Sequence, residues 1–303
     1  MARNLPTRSD FWYSDGSIVL LIEGTGFRVH QSILSQHSDV FADLFTVPQP
    51  SDDTESIEGC PVVHLADRLA DFTDVMKALY QPFYFDTLRP DADLATLISF
   101  VSGILRISTK YNLIFLRKKC ISILQTKFPS TLEGCDALLS SGYKYVSSTI
   151  VRAIPLAREN NVPEILPWAF YISTNIDTDT LLDDPVLSWK DKTLCLAGKE
   201  QLWEMQKSLT HRFAFDFTKS HKCQHLCTSR LPCATMTWRQ SEELRLSPHP
   251  LHEYDEWDTL KVCQHCLEQV QVQHRKGREE VWNSLPVIFR LGSWADIHLE
   301  QNR

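Results

Sequence analysis

Glycine is scarce in this chain, with 10 residues among 303, and the few present do not form a phosphate cradle. There is no G-x-x-x-x-G-K-[ST], no G-x-G-x-x-G, no H-E-x-x-H and no G-x-S-x-G, so the motif-defined nucleotide, zinc-protease and serine-hydrolase chemistries find no support. Gly24-Thr25-Gly26 is too short to hold a phosphate and reads as a turn. Positive charge is also short. Lys and Arg number 31 against 38 Asp and Glu, a formal charge of -7, which argues against a surface built to neutralise nucleic-acid phosphates. No apolar run approaches the roughly 20 residues that cross a bilayer, and the opening Met1 to Gly16 lacks an apolar signal core. The expectation is an intracellular protein, cytoplasmic or nuclear, without a membrane partner. The chain has no N-x-S/T sequon, and its nine cysteines fit reduced thiols or metal ligands better than a disulfide framework.

What is present is most ordered between Asp15 and Phe45. Ile18-Val19-Leu20-Leu21-Ile22 is apolar without alternation, the mark of a strand buried on both faces. Glu23-Gly24-Thr25-Gly26 supplies a turn that glycine permits, and Phe27 and Val29 alternate with Arg28 on a returning strand. The period then changes to helical. Ile33 and Leu34 open one short helix, Ser38 is suited to an N-cap, and Val40, Phe41, Leu44 and Phe45 line the next.

The order Asp15, apolar strand, turn, Phe27-x-Val29-His30, Ile33-Leu34, Ser38, Phe41, Leu44-Phe45 resembles the BTB/POZ domain. Gln31 departs from that pattern, which carries a basic residue after the histidine, and the change alters the charge of a groove some family members use to hold peptides. The resemblance extends through Val62 to Leu65 as a strand, a helix over Leu69, Phe72, Val75, Met76 and Leu79 ending at Tyr80, and two further helices. One runs through Leu94 to Leu105 and the other through Leu116, Cys120, Ile123 and Leu124. Cys120 lies on an apolar stripe and reads as a small core residue.

The fold expected is α+β: a BTB/POZ-like domain followed by a mainly helical C-terminal region with a small Cys-rich lobe. Residues 1–13 read as a flexible lead-in and 14–128 as the domain. Within it, 47–61 reads as an acidic, proline-containing mobile loop. Residues 129–209 read as a helical extension, and 210–303 as a Cys/His-containing lobe with a terminal helix. The Cys-containing region and Trp282-Asn283-Ser284-Leu285-Pro286 are similar to a group of fungal BTB-domain proteins.

Five of the cysteines, Cys223, Cys227, Cys233, Cys263 and Cys266, crowd into this lobe. Cys223-x3-Cys227 and Cys263-x2-Cys266 each hold two thiolates at zinc-ligand spacing. These four are the candidate ligands of a structural zinc, with Cys233 an alternative member and His221, His225 and His265 further candidate donors. The competing reading is free thiols in a small lobe. A DNA-reading zinc finger is disfavoured, because only His274 follows Cys266 at any suitable distance. The run His274-Arg275-Lys276-Gly277-Arg278 is followed at once by Glu279-Glu280 and reads as a solvated helix face.

No catalytic residue, cofactor-binding residue or small-molecule substrate is expected. The BTB/POZ resemblance implies protein partners, with two uses: homodimerisation of regulators, and recruitment of a cullin-type ubiquitin ligase scaffold as a substrate adaptor. A transcription-related regulator with a zinc-stabilised C-terminal lobe is the alternative.

Overall fold

In the computed structural model, residues 6–46, 55–223, 249–260 and 262–301 are described. The chain divides into two compact units, Met1–Thr126 with Glu159–Asn161, and Lys127–Arg158 with Val162–Arg303.

The first unit is built on a five-stranded sheet of order β1-β3-β2-β5-β4. Its strands are β1 (Thr7–Trp12), β2 (Ile18–Ile22), β3 (Thr25–Val29), β4 (Ser56–Ile57) and β5 (Cys60–His64). The expected hairpin is present and tight: Ile22 faces Thr25 across Glu23 (φ 47°) and Gly24 (φ 78°). Positive φ at both central residues matches the right-handed twist of the flanking strands. β2 pairs antiparallel with β3 and parallel with β5, and Ile18, Val19, Leu20 and Ile22 are buried, as an unalternating apolar run requires.

Two expectations for this unit are corrected. Thr7–Trp12 is not a flexible lead-in but β1, parallel to β3. It is held because Phe11 is buried and stacks on Phe27 at 6.4 Å, while Trp12 packs over Gly26, which has no side chain to obstruct it. The acidic loop ends in structure: Ser56 and Ile57 pair antiparallel with Pro61 and Cys60 through a second two-residue turn, Glu58 (φ 49°) and Gly59 (φ 78°). Residues 47–54 lie outside the described residues.

Among the described residues the unit also carries the α-helices α1 (Gln31–His37), α2 (Asp39–Thr46), α3 (Leu69–Tyr80), α4 (Leu94–Lys110) and α5 (Ile114–Gln125). Ser38 caps α2 as expected, its Oγ accepting the Phe41 N–H at 3.0 Å while its hydroxyl donates to the Tyr111 carbonyl. Asp93 caps α4 by accepting the Thr96 N–H at 2.8 Å. Phe72, Val75 and Met76 of α3 and Val101, Ile104 and Leu105 of α4 are buried, and so is Cys120 of α5.

The second unit is helical through α6 (Leu132–Ser140), α7 (Ser147–Glu159), α8 (Leu166–Ser173), α9 (Thr178–Asp183), α10 (Trp189–Met205), α11 (Arg212–Phe215), α12 (Gln264–Ile288) and α13 (Trp294–Gln301). α8 is its hub, with Trp168, Ala169, Phe170 and Tyr171 buried. The C-terminal apolar segment packs on it: Phe289 stacks on Phe170 at 5.2 Å, and Trp282 lies 6.0 Å from Trp168. α10 does not run on through the end of the extension. It instead gives way after Met205 to a π-turn over Gln206–Thr210, closed by the His211 N–H on the Gln206 carbonyl at 2.8 Å.

Candidate interaction surface and candidate metal centre

In the first unit the sequence framework converges on His30. Tyr80 at the end of α3 accepts the His30 backbone N–H through Oη at 3.1 Å, and His30 Nδ1 lies 3.2 Å from the same oxygen. His30 Nε2 is 3.3 Å from Asp15 Oδ1, and Tyr13 stacks on Tyr80 at 5.0 Å. A hydrogen bond at the Asp15 backbone, then one from His30, hold the Asp15 carboxyl below its ordinary pKa. Burial pushes the Tyr80 hydroxyl up, so it stays a neutral donor and acceptor. Gln31, where the family pattern is basic, folds back instead: its Nε2 donates to the Ser17 carbonyl at 3.0 Å. All of these contacts tie elements together, and none leaves a nucleophile beside a base.

Exposed apolar side chains gather where the α1–α2 joint meets the α4–α5 joint. The two joints are linked by Ser38 on Tyr111 and by Asn112 Nδ2 on Asp39 Oδ2 at 3.4 Å. The Phe115 ring lies tilted against His37 at 5.0 Å yet remains 45% exposed; Ile114 is 50% and Val40 40% exposed. Apolar side chains left at a rigid joint form the kind of surface that another protein covers.

In the second unit Cys223, Cys263 and Cys266 bring their Sγ atoms within 4.8 Å of one another, a group able to hold a metal ion. Cys263 sits at the N-cap of α12 with extended backbone (φ -72°, ψ 161°), which places Cys266 in the first turn. The 220–223 turn, closed by the Cys223 N–H on the Ser220 carbonyl at 2.9 Å, meets them, and the Ser220 N–H donates to Cys266 Sγ at 3.4 Å. Phe217 and Val262 pack around the thiols. Among the described residues the group has three members, so His221 and His265 are not part of it. Cys227, Cys233 and His225 lie outside the described residues.

Three other buried thiols have a different character. Burial pushes Cys120, Cys135 and Cys195 up to about 12, so they remain protonated and unreactive.

The sequence reading missed the polar core beside this lobe. His274 and Arg278, assigned to a solvated face, are buried at 5% and 4% exposure, while Arg275 and Lys276 between them are exposed. Arg278 donates from Nε to the Leu251 carbonyl at 2.9 Å, from Nη1 to Glu253 at 3.1 Å and from Nη2 to Asp136. His274 Nδ1 lies 2.7 Å from the Thr210 carbonyl at the end of the π-turn, and its Nε2 accepts the Tyr254 N–H at 3.2 Å. A cavity of about 280 Å³ opens beside them, lined by Glu253, Tyr254, Trp257 and Arg278 among others. The available signal was the stripe Val270, His274, Gly277, Val281, Leu285, whose three- and four-residue spacing marks one helix face.

The first unit is thus an α+β domain, a small mixed sheet with helical hairpins. Its identity is that of a BTB/POZ domain, whose family model matches residues 13–128. BTB/POZ is an interaction-domain family with protein partners. No curated protein matches the chain. No helix among the described residues is long and apolar enough to cross a membrane.

Proposed function

We propose that the chain is a non-enzymatic protein–protein interaction module that self-associates through its BTB/POZ domain and, in the use the family implies, serves as a substrate adaptor for a cullin-type ubiquitin ligase. The single observation that carries this reading is the family match over residues 13–128. The exposed Val40, Ile114 and Phe115 support it, because a second copy of the chain would cover them. Dimerisation would set two C-terminal client surfaces side by side, so that avidity governs client capture. Buried, protonated thiols fit a reducing cytoplasmic or nuclear setting. The transcription-related alternative needs a basic face. The described stretch beside the thiols instead carries Glu253, Asp255, Glu256 and Asp258.

The test is affinity capture of the full chain, with mass spectrometry of what it retains. Recovery of a cullin scaffold together with differently tagged copies of the chain supports both parts of the reading. Copies without a scaffold remove the adaptor role and leave self-association; neither partner removes both.

A further inference from the structure

Three of the nine cysteines come together from two places far apart in the chain. Cys223 arrives on a turn after α11, whereas Cys263 and Cys266 arrive on the N-terminus of the 25-residue α12. Thiols that merely fill a core need no such convergence, and Cys120, Cys135 and Cys195 show that use elsewhere, each on the buried face of its own helix.

A zinc ion with Zn–S bonds of about 2.3 Å in tetrahedral geometry needs its sulfurs about 3.8 Å apart. The three Sγ atoms, all within 4.8 Å, stand close to that arrangement before any ion draws them in. Three further features favour thiolates at this place. Cys263-x2-Cys266 brackets the first turn of a long helix, where unpaired backbone N–H groups and the helix dipole stabilise negative charge. The Ser220 N–H already points at Cys266 Sγ, the kind of outer contact that orients a metal-bound sulfur. Phe217 and Val262 pack against the cluster, and two of its three thiols, Cys223 and Cys266, are buried.

We propose that Cys223, Cys263 and Cys266 bind one zinc ion, which has a structural role. The ion fastens the 220–223 turn to the start of α12, linking Cys223 to Cys263 across the chain between them. Such closure restrains the unfolded chain and converts metal affinity into folding free energy. The fourth position falls to a donor beyond the three described thiols, with Cys227 and Cys233 as the sequence candidates. This proposal stands apart from the interaction reading and rests on none of its observations.

The test uses the full chain purified without chelator from zinc-supplemented cells, with metal content measured by elemental mass spectrometry and intact mass recorded alongside. About one zinc per chain is expected. Cys263→Ser and Cys266→Ser should each lose it, and Cys195→Ala should keep it. Loss with Cys227→Ser or with Cys233→Ser identifies the fourth donor. Because the serine variants can fail to fold, the unsubstituted chain is also stripped of metal and titrated with cobalt. Intense visible bands of a tetrahedral thiolate complex are expected. A metal-free chain with no such bands overturns the proposal, as does an intact mass two hydrogens short that maps a disulfide to two of the three cysteines.

Discussion

Gly277 lies directly against the backbone of Leu209, where a Cβ would stand 2.8 Å from both the carbonyl carbon and the carbonyl oxygen. This contact seats α12 on the π-turn at Gln206–Thr210 and brings His274 within reach of the Thr210 carbonyl. Backbone cannot swing aside as a side-chain end can. Gly277→Ala should therefore cost about 1–3 kcal/mol of stability, although alanine is the better helix former. Chemical denaturation of the full chain measures it, with exposed Lys276→Ala as a near-neutral control. A stabilised Gly277→Ala chain would show that the close approach is not real.

Arg278 is a buried cation of the second unit, and its hydrogen bonds to Leu251 and Asp136 join α12, the 249–260 segment and α6. Replacing it by Met keeps the volume of the stem but strands the Asp136 carboxylate and the Leu251 carbonyl. Arg278→Met should lower stability by about 3 kcal/mol. Glu253, the more exposed of the two acidic partners, should matter little: Glu253→Gln is expected within about 0.5 kcal/mol. Equal effects of the two substitutions in urea melts would count against this division.

Four histidines, of which His211 and His274 are buried, give the second unit a definite response to acid. Burial, followed by neighbouring positive groups, lowers His211 to about 3 and His249 to about 4; His252 and His274 are lowered for the same first reason. His211 and His249 stay neutral in the folded chain well below pH 6.5, while in the unfolded chain they take up protons as pH falls through that value. The unfolded state then binds more protons, so stability is highest above pH 6.5 and declines toward pH 4. The slope is about 1.4 kcal/mol per pH unit for each histidine fully out of step. Thermal melts from pH 7.5 to 4.5 should fall, and His211→Asn should flatten the fall. An unchanged slope in that variant would remove His211 from the account.

In the BTB/POZ domain, Tyr80 Oη accepts from the His30 backbone and lies beside its ring. Tyr80→Phe leaves that N–H without its partner and should cost about 1 kcal/mol. His30→Ala should also destabilise, through packing against Tyr13 and Tyr80. Differential scanning calorimetry of the two variants checks both, and a chain unaffected by either would mean that this framework does not hold α3 to the sheet.

What was legible in the sequence was what local chemistry dictates. The Ile18–Ile22 run, the Glu23-Gly24 turn, the Ser38 cap and the apolar periods of α3, α4 and α5 each declare themselves within a dozen residues, and each is where it was expected. β1 was not legible, because Thr7-Arg8-Ser9-Asp10 is polar and the strand exists only through parallel pairing with β3. The buried side of α12 was obscured by the charge of its own residues. Arg275, Lys276 and Arg278 look alike in sequence, and only Arg278 finds Asp136, 142 residues away. The thiol site was half legible: Cys263-x2-Cys266 announces itself by spacing, but the arrival of Cys223 beside it is a fact of tertiary structure.

The central claim is that this chain self-associates through its BTB/POZ domain, and sedimentation equilibrium of the full chain tests it most directly. The account predicts twice the 34.9 kDa chain mass, with the single-chain mass restored when Phe115, exposed at the joint, is replaced by Asp. A single-chain mass for the unsubstituted protein at every concentration would contradict it.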